Sequence, residues 1–484
     1  LGVPVEVSGD TRGFLEAASS AADVVRRHVE RGSFFSVVSH LDADGLTAAG
    51  IVGKALTRLG AYFRLSIVQQ VDEPLIRELV DEKTRIVVFT DMGGGYLDLI
   101  GEGLKSSEVV ICDHHQPLSL SFPNVFHVNP HLFGFEGATD VSGSGVAYFL
   151  AKALDSINVD MAGVAIVGAL GDMQDKDQRL KRLNESIVHD AVGAGLVEAT
   201  TDLLFYGRET RPVFEALAYT TDPFISGLSG EEDKCYGFFI NLGIPVKVQD
   251  RWRTLSDLTE EEKRKVYSEL TRYLASKGLS SSAMRLIGSV YTLRREERWT
   301  PLRDAREFAS LLNACGRMDK PGLGVALSMG DRGDALKEAQ VVYAEYRAQL
   351  AKCMNWLSQT PEKVQELKNV YVVRGEGVIP EKIISAIASI SVSSGFFTTD
   401  KPVLVVGVTS EGVAKVSARA KKSVVDAGLN LGLVMGETSG KLSGRGGGHD
   451  VAAGAQVPAS QVEDLLALID RRVGEVLAKR VAGG

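Results

Sequence analysis

The residues with the most chemistry in this sequence stand close together, in His40-Leu41-Asp42-Ala43-Asp44-Gly45. An imidazole and two carboxylates at every second position form a compact set of hard metal ligands. They follow the apolar run Phe34-Phe35-Ser36-Val37-Val38 and precede Leu46-Thr47-Ala48-Ala49-Gly50-Ile51-Val52. That pattern places them at a strand-to-helix turn, where Gly45 lets the backbone turn sharply. An Asp-rich helix N-cap has the same local pattern, so the stretch alone supports both readings.

Later runs add residues of the same kind. Asp91 follows Arg85-Ile86-Val87-Val88-Phe89-Thr90, Asp113-His114-His115 follows Val109-Val110-Ile111-Cys112, and Asp172 follows the helical stretch Met161 to Leu170. Each stands beside small or glycine residues such as Gly93 and Gly171. Taken singly, an Asp here is a cap and a His a satisfied core residue. Taken jointly, His40, Asp42, Asp44, Asp91, Asp113, His114, His115 and Asp172 point to divalent metal. Mixed carboxylate and imidazole ligands suit Mn²⁺, and also Mg²⁺ or Co²⁺, whereas structural zinc would call for thiolates. So many carboxylates on one sheet edge repel each other without cations. A pair of divalent ions about 3.5–4 Å apart would neutralise them and support in-line attack on phosphorus.

Two further constellations could grip anions. Gly444-Arg445-Gly446-Gly447-Gly448-His449 reads either as a loop whose backbone N–H groups cradle phosphate or as a flexible surface turn. Ser417-Ala418-Arg419, Lys421 and Lys422 lie nearby in sequence. Arg317, in Asn313-Ala314-Cys315-Gly316-Arg317, reads as a loop residue between helices, either solvated or in contact with phosphate. Among the remaining histidines, His131 in Asn129-Pro130-His131 falls near the sheet edge, while His28, His127 and His189 read as structural.

The elements that must position these groups alternate. Apolar runs at 34–38, 62–68, 85–90 and 109–112, separated by helices, predict a parallel sheet buried on both faces. In such sheets the functional crevice lies at the carboxyl ends of the strands, where the runs ending before His40, Asp91 and Asp113 put their acidic and imidazole residues. The predicted architecture is α/β, with a parallel-sheet domain over residues 1–200. A mostly helical module over 201–300 interrupts it, and 301–332 return to it. A long helix over 333–362, without Gly or Pro between Asp334 and Gln359, connects to a smaller α/β domain over 363–484.

Composition narrows the classes. A net charge of −8 argues against a protein that coats nucleic acid nonspecifically, though not against a local basic groove. The four cysteines, Cys112, Cys235, Cys315 and Cys353, form no C-x-x-C, which excludes a disulfide framework and fits a reducing cytoplasm. No apolar run reaches a membrane span and no export signal is visible, so no membrane partner is expected.

The joint motif set resembles the DHH phosphoesterase superfamily: His40-x-Asp42-x-Asp44-Gly45, Asp91, Asp113-His114-His115 and Asp172 match its four motifs. Ser417-x-Arg419 and Gly446-Gly447-Gly448-His449, after the long helix, resemble its DHHA1 domain. Asn129-Pro130, Ser142-Gly143-Ser144-Gly145 and Asn313-x-x-Gly316-Arg317 resemble the RecJ-like exonuclease branch, and the inserted module is most similar to archaeal RecJ, the GINS-associated nuclease. The resemblance implies one ion held by His40, Asp42 and Asp91 and another by Asp44, Asp91, His114 and Asp172. It implies that Asp113 orients a motif histidine and that His115 contacts the scissile phosphate. Asn129, Ser144, Arg317, Ser417, Arg419, Gly446, Gly447, Gly448 and His449 would bind substrate. The implied activity is metal-dependent exonuclease hydrolysis of single-stranded DNA or RNA to mononucleotides by two-metal catalysis, in DNA replication and repair, with the GINS complex as partner. The alternatives are a phosphodiesterase for small molecules or short oligonucleotides, and a GINS-bound scaffold subunit.

Overall fold

Five apolar strands form the first sheet, and their alternating side chains bury both of its faces. A computed structural model describes residues 9–220, 223–393, 396–397, 400–409 and 411–481; the expectation about an export signal falls partly on residues outside these. The described chain forms two units. One is built from residues 9–219 and 230–343, the other from 344–481 with the short segment around 223–229.

In the first unit, α1 (Thr11–Glu30) leads into β1 (Phe34–His40), α2 (Ala43–Arg58), β2 (Tyr62–Val68), α3 (Glu73–Asp81), β3 (Ile86–Thr90), α4 (Leu97–Gly103), β4 (Glu108–Cys112) and β5 (Val125–Val128). The strands pair in the order β2-β1-β3-β4-β5, all parallel. Because successive side chains point to opposite faces, Phe35, Val37, Ile86, Val88, Val110 and Cys112 join one core. Val38, Val87, Phe89, Val109 and Ile111 join the other, with Leu75 and Leu79 of α3 and Ile100 of α4.

The chain leaves β1 toward β2 on one side and reaches β3 on the other. The sheet therefore has its topological switch point at β1 and β3, where a crevice opens beyond the strand ends. Helix α2 is buried from Ala43 through Gly53, wrapped by α5 (Gly143–Leu154), α6 (Ala162–Gly171) and later helices. Its small residues permit that enclosure: a Cβ on Gly50 would stand 2.4 Å from Ser328.

After α7 (Arg182–Gly193) the rhythm breaks. The interposed region is less purely helical than its sequence suggests. Strands β6 (Val197–Leu203) and β9 (Ile287–Leu293) pair as an antiparallel ribbon that carries α8 (Val213–Ala218), α9 (Glu232–Asn241), the short hairpin β7–β8 (Lys247–Val248, Arg251–Trp252) and α10 (Glu260–Ser276). The ribbon was not legible because the polar run Glu198-Ala199-Thr200-Thr201-Asp202 is exposed over most of its length. Helices α11 (Ala305–Arg317) and α12 (Pro321–Met329) return to the first core, and α13 (Asp334–Gln359) is the uninterrupted helix that the sequence predicts.

The second unit holds a mixed sheet in the order β10-β11-β12-β13-β15-β14: Val364–Glu366, Tyr371–Arg374, Val403–Val408, Val413–Arg419, Ala452–Pro458 and Arg445–Gly448. Only β11–β12 is parallel. Helices α14 (Ile384–Ser393), α15 (Lys422–Asp426), α16 (Leu431–Gly440) and α17 (Val462–Val481) accompany this sheet, and α16 and α17 pack with it around a separate apolar core. Among the described residues no helix is long and apolar enough to cross a membrane.

One buried acid ties the interposed region to the first core. Glu307 of α11 accepts hydrogen bonds from the Glu209 N–H (2.5 Å) and from the Thr210 hydroxyl. Burial, reinforced by the neighbouring Asp304 carboxylate, pushes its carboxyl well above the usual range. The folded state thus holds the Glu307 proton more tightly than the unfolded chain does, so its contribution to stability is present at low pH and lost as pH rises through the folded value. Melting temperatures measured from pH 5 to pH 8 should therefore fall less steeply in Glu307→Gln, which stays neutral and can still serve both partners.

Candidate metal centre

The acidic and imidazole residues are placed by the ends of several elements around the switch point of the first sheet. His40 ends β1 and Asp42 caps α2, accepting from the Gly45 N–H at 3.0 Å. Asp44 lies in the first turn of α2, where the Gly143 and Ser144 N–H groups at the start of α5 donate to it at 2.6 and 3.0 Å. A helix N-terminus favours a carboxylate in this position. Asp91 follows β3 in the left-handed region at φ 56, a conformation a non-glycine residue holds only where its surroundings impose it. Its N–H bonds the Cys112 carbonyl at 2.8 Å.

The side chains of Asp44, Asp91, Asp113 and His114 are no more than 2% exposed. Two of the groups of ligand atoms that share Asp91 are His40, Asp42 and Asp91, and Asp44, Asp91 and His114, each within 4.8 Å. The two oxygens of Asp91 face different ways. Oδ2 lies 3.7 Å from His40 Nδ1, and Oδ1 lies 3.2 Å from His114 Nε2. Asp91, Asp113 and His115 form a further group of the same kind. Asp172 stands apart from these groups. Its Oδ2 lies 3.9 Å from His114 Nδ1.

Electrostatics show what the arrangement lacks. Burial first, then the Asp44 and Asp42 charges, push the Asp91 carboxyl well above its ordinary value. Asp91 Oδ1 is also a buried oxygen with no hydrogen-bond donor. The His114 ring commits Nδ1–H to the Gly137 carbonyl at 2.7 Å, which turns Nε2 toward the carboxylates. Burial lowers the His114 value, but the Asp172 and Asp44 charges outweigh it and raise the ring's affinity for a proton. A divalent cation between Asp91, Asp44 and His114 satisfies all three conditions: it supplies the orphaned oxygen's partner, offsets the charge and replaces the proton. The donor set, carboxylates and imidazoles without thiolate, suits Mn²⁺ or Mg²⁺.

Asp113 plays a different part. It accepts from the Gly94 N–H (2.7 Å), the His114 N–H (2.8 Å) and His115 Nδ1 (2.8 Å). Burial opposes its ionisation, yet the His115 charge and these donors hold it well below the usual carboxylate range. Burial likewise opposes the His115 charge, and the Asp113 carboxylate overcomes it, lifting the imidazole to about 9. His115 is therefore a cation at neutral pH.

Several predicted substrate contacts have other partners here. Asn129 is fully buried, its amide bonding the His115 carbonyl (2.9 Å) and accepting the His131 N–H (3.0 Å). Ser144 is fully buried as well; its hydroxyl bonds Ser142 and the Ala165 carbonyl, and its N–H serves Asp44. Arg317 is not a loop residue but closes α11, because the helical pattern continues through Gly316. In the second unit, Ser417 and Arg419 lie on β13, and Arg419 bonds Ser389 (2.9 Å) and Ser417 (3.2 Å). The glycine run is not a loop either: Gly446, Gly447 and Gly448 form the edge strand β14, pairing with Ala455, Gly454 and Ala453, and His449 follows it. Its glycines allow close approach. A Cβ on Gly446 would stand 2.6 Å from the Met435 carbonyl, whereas one on Gly447 would meet nothing within 4 Å.

Residues the motif reading did not single out for this task complete the centre. Asn313 Oδ1 accepts the Ala43 N–H at 3.1 Å, and a Cβ on Gly316 would stand 1.7 Å from the Leu41 carbonyl. Helix α11 thus buttresses the loop carrying Asp42 and Asp44. A Cβ on Gly143 would stand 2.5 Å from Asp91 Oδ1, and one on Gly168 would stand 2.6 Å from Asp44 Oδ1. The Gly and Ala content of both helices is the one sequence signal for this crowding.

Comparison with known proteins gives a consistent picture. Residues 205–287 match the DHH-CID domain and residues 369–475 the DHHA1 domain. An uncharacterised protein of Methanocaldococcus jannaschii is 31% identical over 455 residues, covering 92% of this chain and 94% of its own. Among solved structures, RecJ from Thermus thermophilus in complex with Mn²⁺ is similar at a TM-score of 0.57 and 19% identity, over 95% of this chain and 55% of that one. The chain thus spans about half the length of the Thermus protein. An exonuclease RecJ bound to manganese is similar at 0.54 and 19%, over 98% and 96%. Cdc45 from Entamoeba histolytica is similar at 0.63 and 12%, over 94% and 99%.

The charge balance gives a direct test. In metal-free protein, Asp91→Asn removes one of three converging carboxylates and should raise the melting temperature. Mn²⁺ at 100 times its dissociation constant should stabilise the wild type by about 2.7 kcal/mol per site, and should leave Asp91→Asn nearly unchanged. Thermal melts with and without Mn²⁺ check both.

Proposed function

The chain belongs to the RecJ-like DHH/DHHA1 phosphoesterase superfamily, and we propose that it is a cytoplasmic, metal-dependent exonuclease that hydrolyses single-stranded DNA or RNA to mononucleotides. The observation that carries this reading is the orphaned, buried Asp91 carboxylate shared by two ligand groups. His40 and Asp42 would hold one Mn²⁺ with it, and Asp44 and His114 the other; Asp172, which stands beside His114 outside that group, would have to shift to join the second set. The ions would supply Lewis acidity and an activated water for in-line attack on phosphorus.

The protein's own groups do the rest. The helix N-terminus at Gly143 and Ser144 fixes the orientation of the Asp44 carboxylate through two N–H donors. The Gly137 carbonyl fixes the His114 tautomer, leaving Nε2 as the ligand atom. Asp113 holds the His115 imidazolium, which would donate to a non-bridging oxygen of the scissile phosphate and offset charge that builds there. Arg419, Ser417, His449 and the backbone of Gly446, Gly447 and Gly448, an edge strand whose glycines carry no side chain to cover it, would grip the strand's phosphates.

A second reading, a replication scaffold bound to GINS, draws on the DHH-CID match and on the Cdc45-like fold, whose TM-score of 0.63 exceeds those with RecJ. The two roles are compatible, and the complete ligand set favours an active enzyme over a scaffold alone. Digestion of end-labelled single-stranded DNA, RNA and dinucleotides with Mn²⁺ separates them. Release of mononucleotides from the long substrates supports the exonuclease. Cleavage of dinucleotides alone moves the reading to a small-substrate phosphodiesterase, and no cleavage leaves the scaffold. Asp42→Ala and Asp44→Ala should each reduce turnover to background while single-strand binding persists, because neither belongs to the proposed grip. Co-purification with GINS tests the partner independently.

A further inference from the structure

Gln174 lies against the acidic centre, yet no motif includes it. Met173, in the left-handed region at φ 55, reverses the chain after α6. Its N–H bonds the Leu170 carbonyl and that of Gln174 bonds the Ala169 carbonyl, a helix-ending reversal normally made with glycine. The reversal turns the Gln174 side chain back beneath the centre, where it is 2% exposed. Its amide nitrogen donates to Asp172 Oδ2 at 2.9 Å and to the Gly137 carbonyl at 2.8 Å. Its amide oxygen accepts from Asn184 Nδ2 at 2.7 Å, and the Asn184 backbone is anchored by its N–H on the Asp140 carbonyl.

The Gly137 carbonyl is the same one that accepts His114 Nδ1–H. One side-chain amide therefore clamps a carboxylate and the carbonyl that sets a histidine's tautomer. Only an amide does both: it has two N–H donors on one nitrogen and an oxygen left for Asn184. A carboxylate in its place would repel Asp172. Gly137 allows the approach, since a Cβ there would stand 1.8 Å from the His114 carbonyl.

Resting on the two-ion reading above, we propose that Gln174, held by Asn184, is a positioning residue for one of the two metal sites only. That site is the one formed by Asp44, Asp91 and His114, with Asp172 beside it. The site of His40, Asp42 and Asp91 meets this relay only through the shared Asp91, whose other oxygen faces His40, and keeps its affinity without it. Gln174→Met preserves length and volume while removing every donor and acceptor.

Calorimetric titration of the full chain with Mn²⁺ tests this. The wild type takes up two equivalents. Gln174→Met should bind one equivalent at wild-type affinity and the second about 10–100-fold more weakly. The Mn²⁺ concentration for half-maximal phosphodiesterase activity should rise by a similar factor, while the maximal rate returns toward wild type at saturating metal. Two equivalents at wild-type affinity, or equal weakening of both, overturns the proposal. Should Gln174→Met fail to fold, Asn184→Ala in the same titration decides: loss confined to one equivalent supports the role, and an unchanged profile overturns it. A wild type that binds fewer than two equivalents refutes the two-ion reading instead, and the proposal with it.

Discussion

Three carboxylates, Asp42, Asp44 and Asp91, converge where the first sheet reverses its strand order, and two of them are almost wholly buried. Like charges at such a spacing in a low-dielectric site are unfavourable unless donors or cations answer them. Much of the surrounding structure meets that need. The α5 N-terminus answers Asp44, and His40 answers Asp42 at 3.0 Å. Asp91 is answered only in part, by His40 and His114, and keeps an oxygen without a donor. Charge unmet by the protein itself is what suits the centre to divalent cations.

Holding such a centre requires rigid supports on every side. The parallel strands fix His40 and Asp91 in register, since β1 and β3 pair directly from Phe35–Ile86 through Ser39–Thr90. Helix α2 is enclosed almost completely, so Asp42 and Asp44 inherit the rigidity of the core. Gly143, Gly168 and Gly316 let neighbouring backbone come close enough to fix the carboxylates from behind. The strained backbone at Asp91 is maintained by this packing, in keeping with strain concentrated where chemistry is placed.

The strands and the acidic and imidazole residues at their ends were legible because each is a local signal: an apolar run, then a carboxylate or imidazole beside a small residue. The long helix Asp334–Gln359 was legible for the same reason. Contacts that depend on distant partners were not. Asn313 reaches Ala43 across 270 positions, and nothing local marks Gln174 as a clamp. Gly446-Gly447-Gly448 read as a loop because glycine is a poor strand former; pairing with β15 overrides that preference. Asn129 and Ser144 resembled substrate contacts by motif, yet their side chains are directed into backbone networks, which only the folded chain reveals.

The central claim is that Asp91 is shared by two metal ions. Anomalous diffraction at the manganese edge, from crystals of the full chain grown with Mn²⁺, tests it most directly. The account predicts two peaks flanking the Asp91 carboxylate, one beside His40 and Asp42 and one beside Asp44 and His114. A single peak, or peaks that do not touch Asp91, would contradict it.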